Sequence, residues 1–427
     1  MYRSSVRNIF DQYSQPENRL SHALATSLHE DPKLLRQFVR WVSGSQAPKG
    51  ALYVLEQSRP GEFPANEEHT GQHGLPDLWI HNGADWSLVV ECKVAATPRL
   101  DQLRAHQREA DRRGQTVSTL LLTSRRPSFR IPKDIQVRTW TELYSWLGKT
   151  SGGSWSKALM DYMETLERRW AATGYLLEGT LTEFAGIDFD RDEPWNYREA
   201  KRLLKLLLDE LRTRKNLATT LGIDLKAAGR PAITDDGRHV WDFLKLKLAN
   251  QAKTHTSYPH FNISLSDSTL GAYLSIPNGM RRSFHRRLLG EDVSDFENLI
   301  RATANGICTA LKGTKEARPH LILLQRRYPS QKSTPYVDAV MRIDLRTATR
   351  RPGRAQTRAV RLQPEWLTMA YEVLANRQSN LHLSIGAEFD IYRCPAVRSR
   401  QLVGLIEQDW LACRPLLEAM DLSKPYV

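Results

Sequence analysis

A chain of 427 residues exceeds what one hydrophobic core usually serves, so two or three units are expected at roughly 100 to 200 residues each. Hydrophobic residues make up 41% and charged residues 26%, with both signs spread along the whole length, which excludes disorder as the default reading. The 61 Lys and Arg against 48 Asp and Glu give a formal +13 and favour an anionic partner such as nucleic acid, although many basic proteins share such a balance.

Pro16 is tolerated at a first helical position and opens ENRLSHALATSLHE, where Leu20, Leu24 and Leu28 recur at four-residue spacing. Asp31 and Pro32 open a second helix whose Leu34, Leu35, Phe38, Val39 and Val42 form one apolar stripe. Residues 51–57 read as a strand and 58–74 as a polar loop. LPDLWI and WSLVVECKV follow as two strands of a hairpin, turned at the Asn82-Gly83 pair. Thr97 and Pro98 cap a helix ending near Gly114, VSTLLLT is a buried strand, and a short strand at 135–137 leads into a helix at 141–147.

The TSGGS segment at 150–154 is the best linker, giving expected units of 1–150 and 155–427. Beyond it helices are expected at 155–172 and 194–221, then strands at 241–248, 260–266, 272–276, 320–325, 337–345 and 381–392. Helices at 295–311, 365–375 and 400–420 complete an α+β pattern. Residues 1–150 carry 20 Lys and Arg against 16 Asp and Glu, and residues 151–427 carry 41 against 32, so the later part holds more of the positive excess.

Cys92, Cys308, Cys394 and Cys413 lack the close pairing of a zinc site or a disulfide framework and suit a reducing interior. The N-terminus has no apolar signal region, and no segment approaches the ~18 apolar residues of a membrane span. A cytoplasmic protein without a membrane partner is the expectation.

The chemistry concentrates in the hairpin. Period-two alternation points Glu91 and Lys93 to one face and Cys92 to the layer behind, and antiparallel pairing brings Asp77 alongside. Two carboxylates suit a hard divalent cation, and an ammonium beside them can orient water or stabilise charge developing on a phosphate. The bland alternative is a surface ion pair. Lys93 is expected to be exposed, so that removing it leaves folding intact.

GLPDLWI followed by WSLVVECKVAA resembles the PD-(D/E)XK nuclease motif, with Pro76-Asp77 and the apolar strand leading to Glu91 and Lys93. ENRLSHAL resembles the superfamily helix that supplies a further acidic residue, here Glu17, and DQLRAHQREA the helix that carries a Gln, here Gln102. VSTLLLTSRR and VRTWTELYSWL are similar to the closing strands and helix of that core. The resemblance covers about residues 10–148 and implies an α/β restriction-endonuclease-like core, a mixed sheet flanked by helices, followed by an α+β C-terminal domain. It also implies Asp77, Glu91, the Cys92 carbonyl and Glu17 as metal ligands, Lys93 and Gln102 as catalytic residues, and Mg²⁺, with Mn²⁺ as a substitute.

As structural residues, Glu17 is a helix-terminal carboxylate favoured by the dipole and Gln102 an exposed helix residue. Glu56 could join the acidic cluster, although an edge-strand ion pair is the commoner explanation; His69 and His73 are loop histidines that could approach a phosphate. In the C-terminal part, Arg281 to Arg287 with His285, the pair Arg326 and Arg327, and Arg346 to Arg361 read as phosphate contacts or solvated faces. Tyr258, Phe261, Tyr273, Phe284 and Tyr328 accompany them, as core residues or stacking platforms.

The functional expectation is a Mg²⁺-dependent nuclease acting on DNA, with bacterial antiviral defence or restriction as the context the resemblance implies. RNA cleavage by the same chemistry is the second reading. An inactive nuclease-fold protein that binds nucleic acid or assembles is the third. Homo-oligomerisation or a partner protein is assigned to the C-terminal domain.

Overall fold

The computed structural model describes residues 10, 13, 15–44, 46–58, 75–127, 129–150, 153–173, 179–189, 195–227, 238–251, 257–330, 335–348, 363–376 and 380–422. His69, His73 and most of the basic run from Arg346 to Arg361 lie outside them. The chain divides into two compact units, Met1–Glu183 and Phe184–Val427.

The first unit contains α1 (Pro16–Glu30), α2 (Pro32–Ser43), β1 (Tyr53–Glu56), β2 (Leu78–His81), β3 (Trp86–Lys93), α3 (Leu100–Arg112), β4 (Thr116–Thr123), β5 (Ile135–Thr139), α4 (Trp140–Lys149) and α5 (Ser154–Thr173). Asp31 starts α2 by accepting from the Lys33 and Leu34 N–H groups, and Gly44 in the left-handed region ends it. The strands form one sheet in the order β1-β2-β3-β4-β5. The β1-β2 and β2-β3 steps are antiparallel, and the β3-β4 and β4-β5 steps are parallel.

The β2-β3 hairpin closes through Gly83 at φ 76°, a conformation glycine adopts without steric cost, while Asn82 Oδ1 accepts from the Ala84 and Trp86 N–H groups. The parallel step from β3 to β4 needs a crossover, and α3 supplies it. Alternation then sorts the side chains: Leu78, Ile80, Leu88, Val90 and Cys92 enter a core with α1, α2, α4 and α5, whereas Trp79 and Val89 pack with Ala110 of α3 on the opposite face.

The boundary between units falls after Glu183 rather than in TSGGS. The reason is packing: Leu159, Tyr162, Met163, Leu166 and Trp170 of α5 are buried in the first unit's core, and Leu181 joins them. The buried Glu167 carboxylate accepts from the Leu181 and Thr182 N–H groups and from the Thr182 hydroxyl, tying the return segment to α5. With this boundary the first unit holds 23 Lys and Arg against 21 Asp and Glu, and the second 38 against 27.

The second unit contains α6 (Tyr197–Arg212), α7 (Lys215–Leu221), β6 (His239–Lys245), β7 (His260–Ser266), β8 (Thr269–Ile276), α8 (Arg282–Leu289), α9 (Val293–Ala310), β9 (Ala317–Arg327), β10 (Tyr336–Asp344), α10 (Leu345–Ala348), α11 (Pro364–Ala375), β11 (Asn380–Asp390), α12 (Gln401–Ala412) and α13 (Arg414–Ala419). Its six-stranded sheet runs β10-β9-β11-β8-β7-β6 and is antiparallel throughout. Alternate residues of β11, from Leu381 to Phe389, enter a core with the helices. The expected strands are present, with ends shifted by a few residues. The helix expected over 194–221 is broken where the Thr213 hydroxyl donates to the Glu210 carbonyl, and that over 400–420 divides at Cys413, two residues before Pro415, which has no N–H to continue the ladder. No helix among the described residues is long and apolar enough to cross a membrane.

Candidate active site

Extending the β2-β3 register by one step sets Asp77 opposite Glu91, because Leu78 pairs with Val90. Directly opposed residues share a face, so Asp77 and Glu91 both project to the α3 side, and Lys93 follows by alternation. The Cys92 N–H donates to Asp77 Oδ2 at 2.6 Å, which fixes that carboxylate against the end of β3. Lys93 Nζ lies 2.6 Å from Glu91 Oε1. The hairpin thus brings together the three residues read from the motif.

Lys93 is not exposed. Its side chain is 14% accessible and that of Glu91 3%, so the pair is largely removed from water. Its backbone carbonyl accepts from Ser124 N–H at 3.1 Å and Trp140 Nε1–H at 3.2 Å. Burial alone lowers the ammonium's affinity for its proton, yet Glu91 and Asp77 outweigh burial and hold its pKa above the ordinary value.

Desolvation of the Asp77 carboxyl and the Glu91 carboxylate beside it push the Asp77 pKa up to about 8, against opposing pulls from Lys93 and the Cys92 N–H. The Gln57 N–H, at a left-handed φ of 44°, donates to the Asp77 carbonyl. Such backbone costs of order 1–3 kcal/mol and persists where surroundings enforce it. The Cys92 thiol is buried in the core behind, with its pKa driven well up by burial.

One contact was not read from the sequence. His106, buried on α3, places Nε2 3.3 Å from Glu91 Oε2, which requires the Nε2–H tautomer because a carboxylate only accepts. The signal was available in DQLRAHQREA: Leu103, His106, Gln107 and Ala110 form the buried stripe of α3, and a histidine within such a stripe needs a polar partner. Gln102 is half-buried one turn before His106, and among the described residues nothing hydrogen-bonds its side chain.

Glu17 is placed differently from a free ligand. Its Oε1 accepts from Val94, Ala95 and Ala96 N–H at 2.8, 3.1 and 3.0 Å, latching α1 to the chain that leaves β3. Among the described residues no three His, Cys, Asp or Glu side chains cluster as a metal cage. Glu17 is not grouped with Asp77 and Glu91 as a third side-chain ligand: its Oε1 is engaged by three backbone donors, although its negative charge still acts on Asp77 and Lys93. Glu56 pairs opposite Leu78 and so faces the α1 side, away from Asp77. There its Oε2 meets His22 Nδ1 at 2.8 Å while Oε1 is buried without a hydrogen-bond partner. Glu56 is thus a partner of His22 in the α1 layer and not a member of the acidic cluster.

In the second unit, Arg281, Arg282 and Arg286 at α8 are exposed with no acidic partner among the described residues, while Arg287 meets Asp421 at 3.3 Å. Arg327 pairs with Asp338 and Arg346 with Asp344. Phe261 is core, Tyr258 and Phe284 pack against it, Tyr273 is buried, and Tyr328 is exposed. No protein-family model matches this chain, and no curated protein matches it.

Proposed function

We propose that the chain is a metal-dependent nuclease of the PD-(D/E)XK superfamily that hydrolyses phosphodiester bonds, with DNA as its substrate. The observation that carries this reading is the convergence of Asp77, Glu91 and Lys93 on one face at the joined ends of β2 and β3. The mixed sheet, with α3 on that face and α1 and α4 on the other, supports a restriction-endonuclease-like core.

The donor set fits Mg²⁺ or Mn²⁺. Asp77 and Glu91 offer hard oxygens, and their conflict, which raises Asp77, is one that a divalent cation relieves. Those carboxylates and the Cys92 carbonyl would hold it. A bound cation supplies Lewis acidity to a phosphoryl oxygen and lowers the pKa of attacking water. Lys93, kept as an ammonium, donates to negative charge developing on the phosphate; it is too basic to serve as a general base near neutral pH. Glu91 holds Lys93 in place, and α3 lies on the same face of the sheet as the site, reaching Glu91 through His106.

One observation favours a second reading, a nuclease-fold protein that binds nucleic acid without cutting it: both Glu91 oxygens are already engaged, by Lys93 and His106. The deciding experiment incubates the full chain with supercoiled, linear and single-stranded DNA and with RNA, in Mg²⁺, Mn²⁺ or EDTA. Cleavage of DNA that stops in EDTA supports the proposal, and cleavage confined to RNA changes its substrate. Binding without cleavage under every condition transfers the assignment to the second reading.

A further inference from the structure

We infer that the free edge of β10 joins two copies of this chain by antiparallel pairing of β10 with itself about Val340. β10 ends the six-stranded sheet, so backbone donors and acceptors along its outer side have no strand partner among the described residues. At nine residues it exceeds the usual strand of about 5–6. Its large side chains are open to solvent: Tyr336 is 60%, Val337 57% and Val340 56% exposed.

Charges on an edge strand ordinarily block pairing by meeting like charges. Here they do the opposite. In YVDAVMRID, a two-fold axis through Val340 sets Val340 against its own copy, Ala339 against Met341 of the second copy, and Asp338 against Arg342 of the second copy. The central apolar match is therefore flanked on both sides by an opposite-charge pair. Within one chain Asp338 contacts Arg327 at 3.5 Å and Arg342 contacts Glu388. A carboxylate has two accepting oxygens and a guanidinium five donors, so both keep capacity for a partner across the axis. The register shift between Val337 and Ala339 falls on Asp338, which has no β9 partner in the register, so the match runs from this bulged residue to Arg342. An edge recruits any strand through its backbone; what singles out a second copy is this charge pattern, which is complementary to itself in antiparallel register.

The test uses the full chain. Analytical ultracentrifugation over a dilution series should show a concentration-dependent dimer, and Val340→Lys, which opposes two ammonium groups on the axis at an exposed site, should weaken it by about tenfold or more. Cysteine placement reads the register. Cys92, Cys394 and Cys413 are buried and Cys308 is half-buried, so the scan is made in a Cys308→Ser background. Val340→Cys should oxidise to a covalent dimer, because directly opposed residues have Cα atoms about 4.5–5.5 Å apart, within disulfide range. Asp338→Cys alone should not, since its own copy would lie roughly 13 Å away at about 3.4 Å per residue. A chain that stays monomeric at every concentration overturns the proposal, and that is also the result expected if the edge receives a strand of a different protein. Equal crosslinking at 338 and 340 overturns it too, as does a dimer untouched by Val340→Lys.

Discussion

His106 Nε2 lies 3.3 Å from Glu91 Oε2, the oxygen not held by Lys93, so the Glu91 carboxylate is clamped from α3 and from its own strand at once. Partners of this kind orient a ligand, and their loss typically costs 10- to 100-fold in metal affinity or activity. His106→Ala is therefore expected to lose activity in that range. Leu103 and Ala110 still anchor α3, so the circular dichroism spectrum should be unchanged. His106→Asn should recover part of the loss by restoring a donor. Unchanged cleavage in His106→Ala would show that Lys93 and the sheet orient Glu91 unaided.

Substitution of Lys93 has two effects, and they must be separated. Breaking a buried pair by removing one partner costs about 3–5 kcal/mol, so Lys93→Ala leaves Glu91 buried without its cation and should unfold more readily. Lys93→Gln keeps a hydrogen-bond donor and is the better probe. It should retain the fold, with a melting temperature closer to wild type, yet cleave at least about 100-fold more slowly, the usual worth of a charge-stabilising donor. Wild-type rates in Lys93→Gln would remove the ammonium from the mechanism.

The raised Asp77 pKa sets a pH dependence. In the metal-free protein Asp77 holds its proton up to about pH 8, whereas the unfolded chain releases it near 3.8. The folded state thus binds more protons between these values, and metal-free stability should fall as pH rises through that window, by on the order of 1 kcal/mol per unit. Asp77→Asn should abolish the slope and be the more stable protein at pH 8. Cation binding needs the ionised carboxylate, so below pH 8 it should release about one proton, with affinity rising up to about tenfold per unit. Calorimetry in buffers of different ionisation enthalpy measures that proton count, and a count of zero at pH 6.5 would exclude Asp77 as a ligand.

Local patterns made the hairpin readable and left its surroundings obscure. Glu91 and Lys93 on one face and Cys92 on the other follow from alternation, and Asn82-Gly83 fixes the register that brings Asp77 in. The Glu17 latch and the Glu91–His106 contact join residues 77 and 15 positions apart, and no periodicity reports which carboxylate a distant donor will take. A strand-terminal lysine is usually exposed, whereas the Lys93 ammonium pairs with a Glu91 that also meets His106 of the later α3. TSGGS has the composition of a linker, yet α5 beyond it carries an apolar stripe that only the first unit's core satisfies. The Arg-rich α8 was missed because few apolar residues mark its period.

The boundary has a consequence for truncation. Leu159, Tyr162, Met163, Leu166 and Trp170 are each 5% exposed or less, and burying such side chains stabilises by about 1.5–3 kcal/mol apiece. Their sum, on the order of 10 kcal/mol, matches the whole stability of a typical domain. A fragment of residues 1–150 should therefore fail to fold, and one of residues 1–183 should unfold cooperatively. A cooperative melt from the shorter fragment would show that α5 is dispensable.

Positive charge is unevenly shared, and this leads to a prediction about binding. The second unit holds 38 Lys and Arg against 27 Asp and Glu, and Arg281, Arg282 and Arg286 at α8 are exposed with no acidic partner among the described residues. Each phosphate neutralised by such a group releases counterions, so log K falls with log salt by about 0.9 per contact on duplex DNA. If all three contact phosphate, the triple Ala variant should lower the salt slope by roughly 2.7. The loss should be similar for unrelated sequences, because backbone contacts carry no sequence information. The substitutions are exposed, so the fold should tolerate them. Binding is measured in the Lys93→Gln background, in which the slower cleavage intrudes less on the salt series. An unchanged slope, with affinity intact at every salt concentration, would mean that α8 is solvated surface and that nucleic acid is held elsewhere.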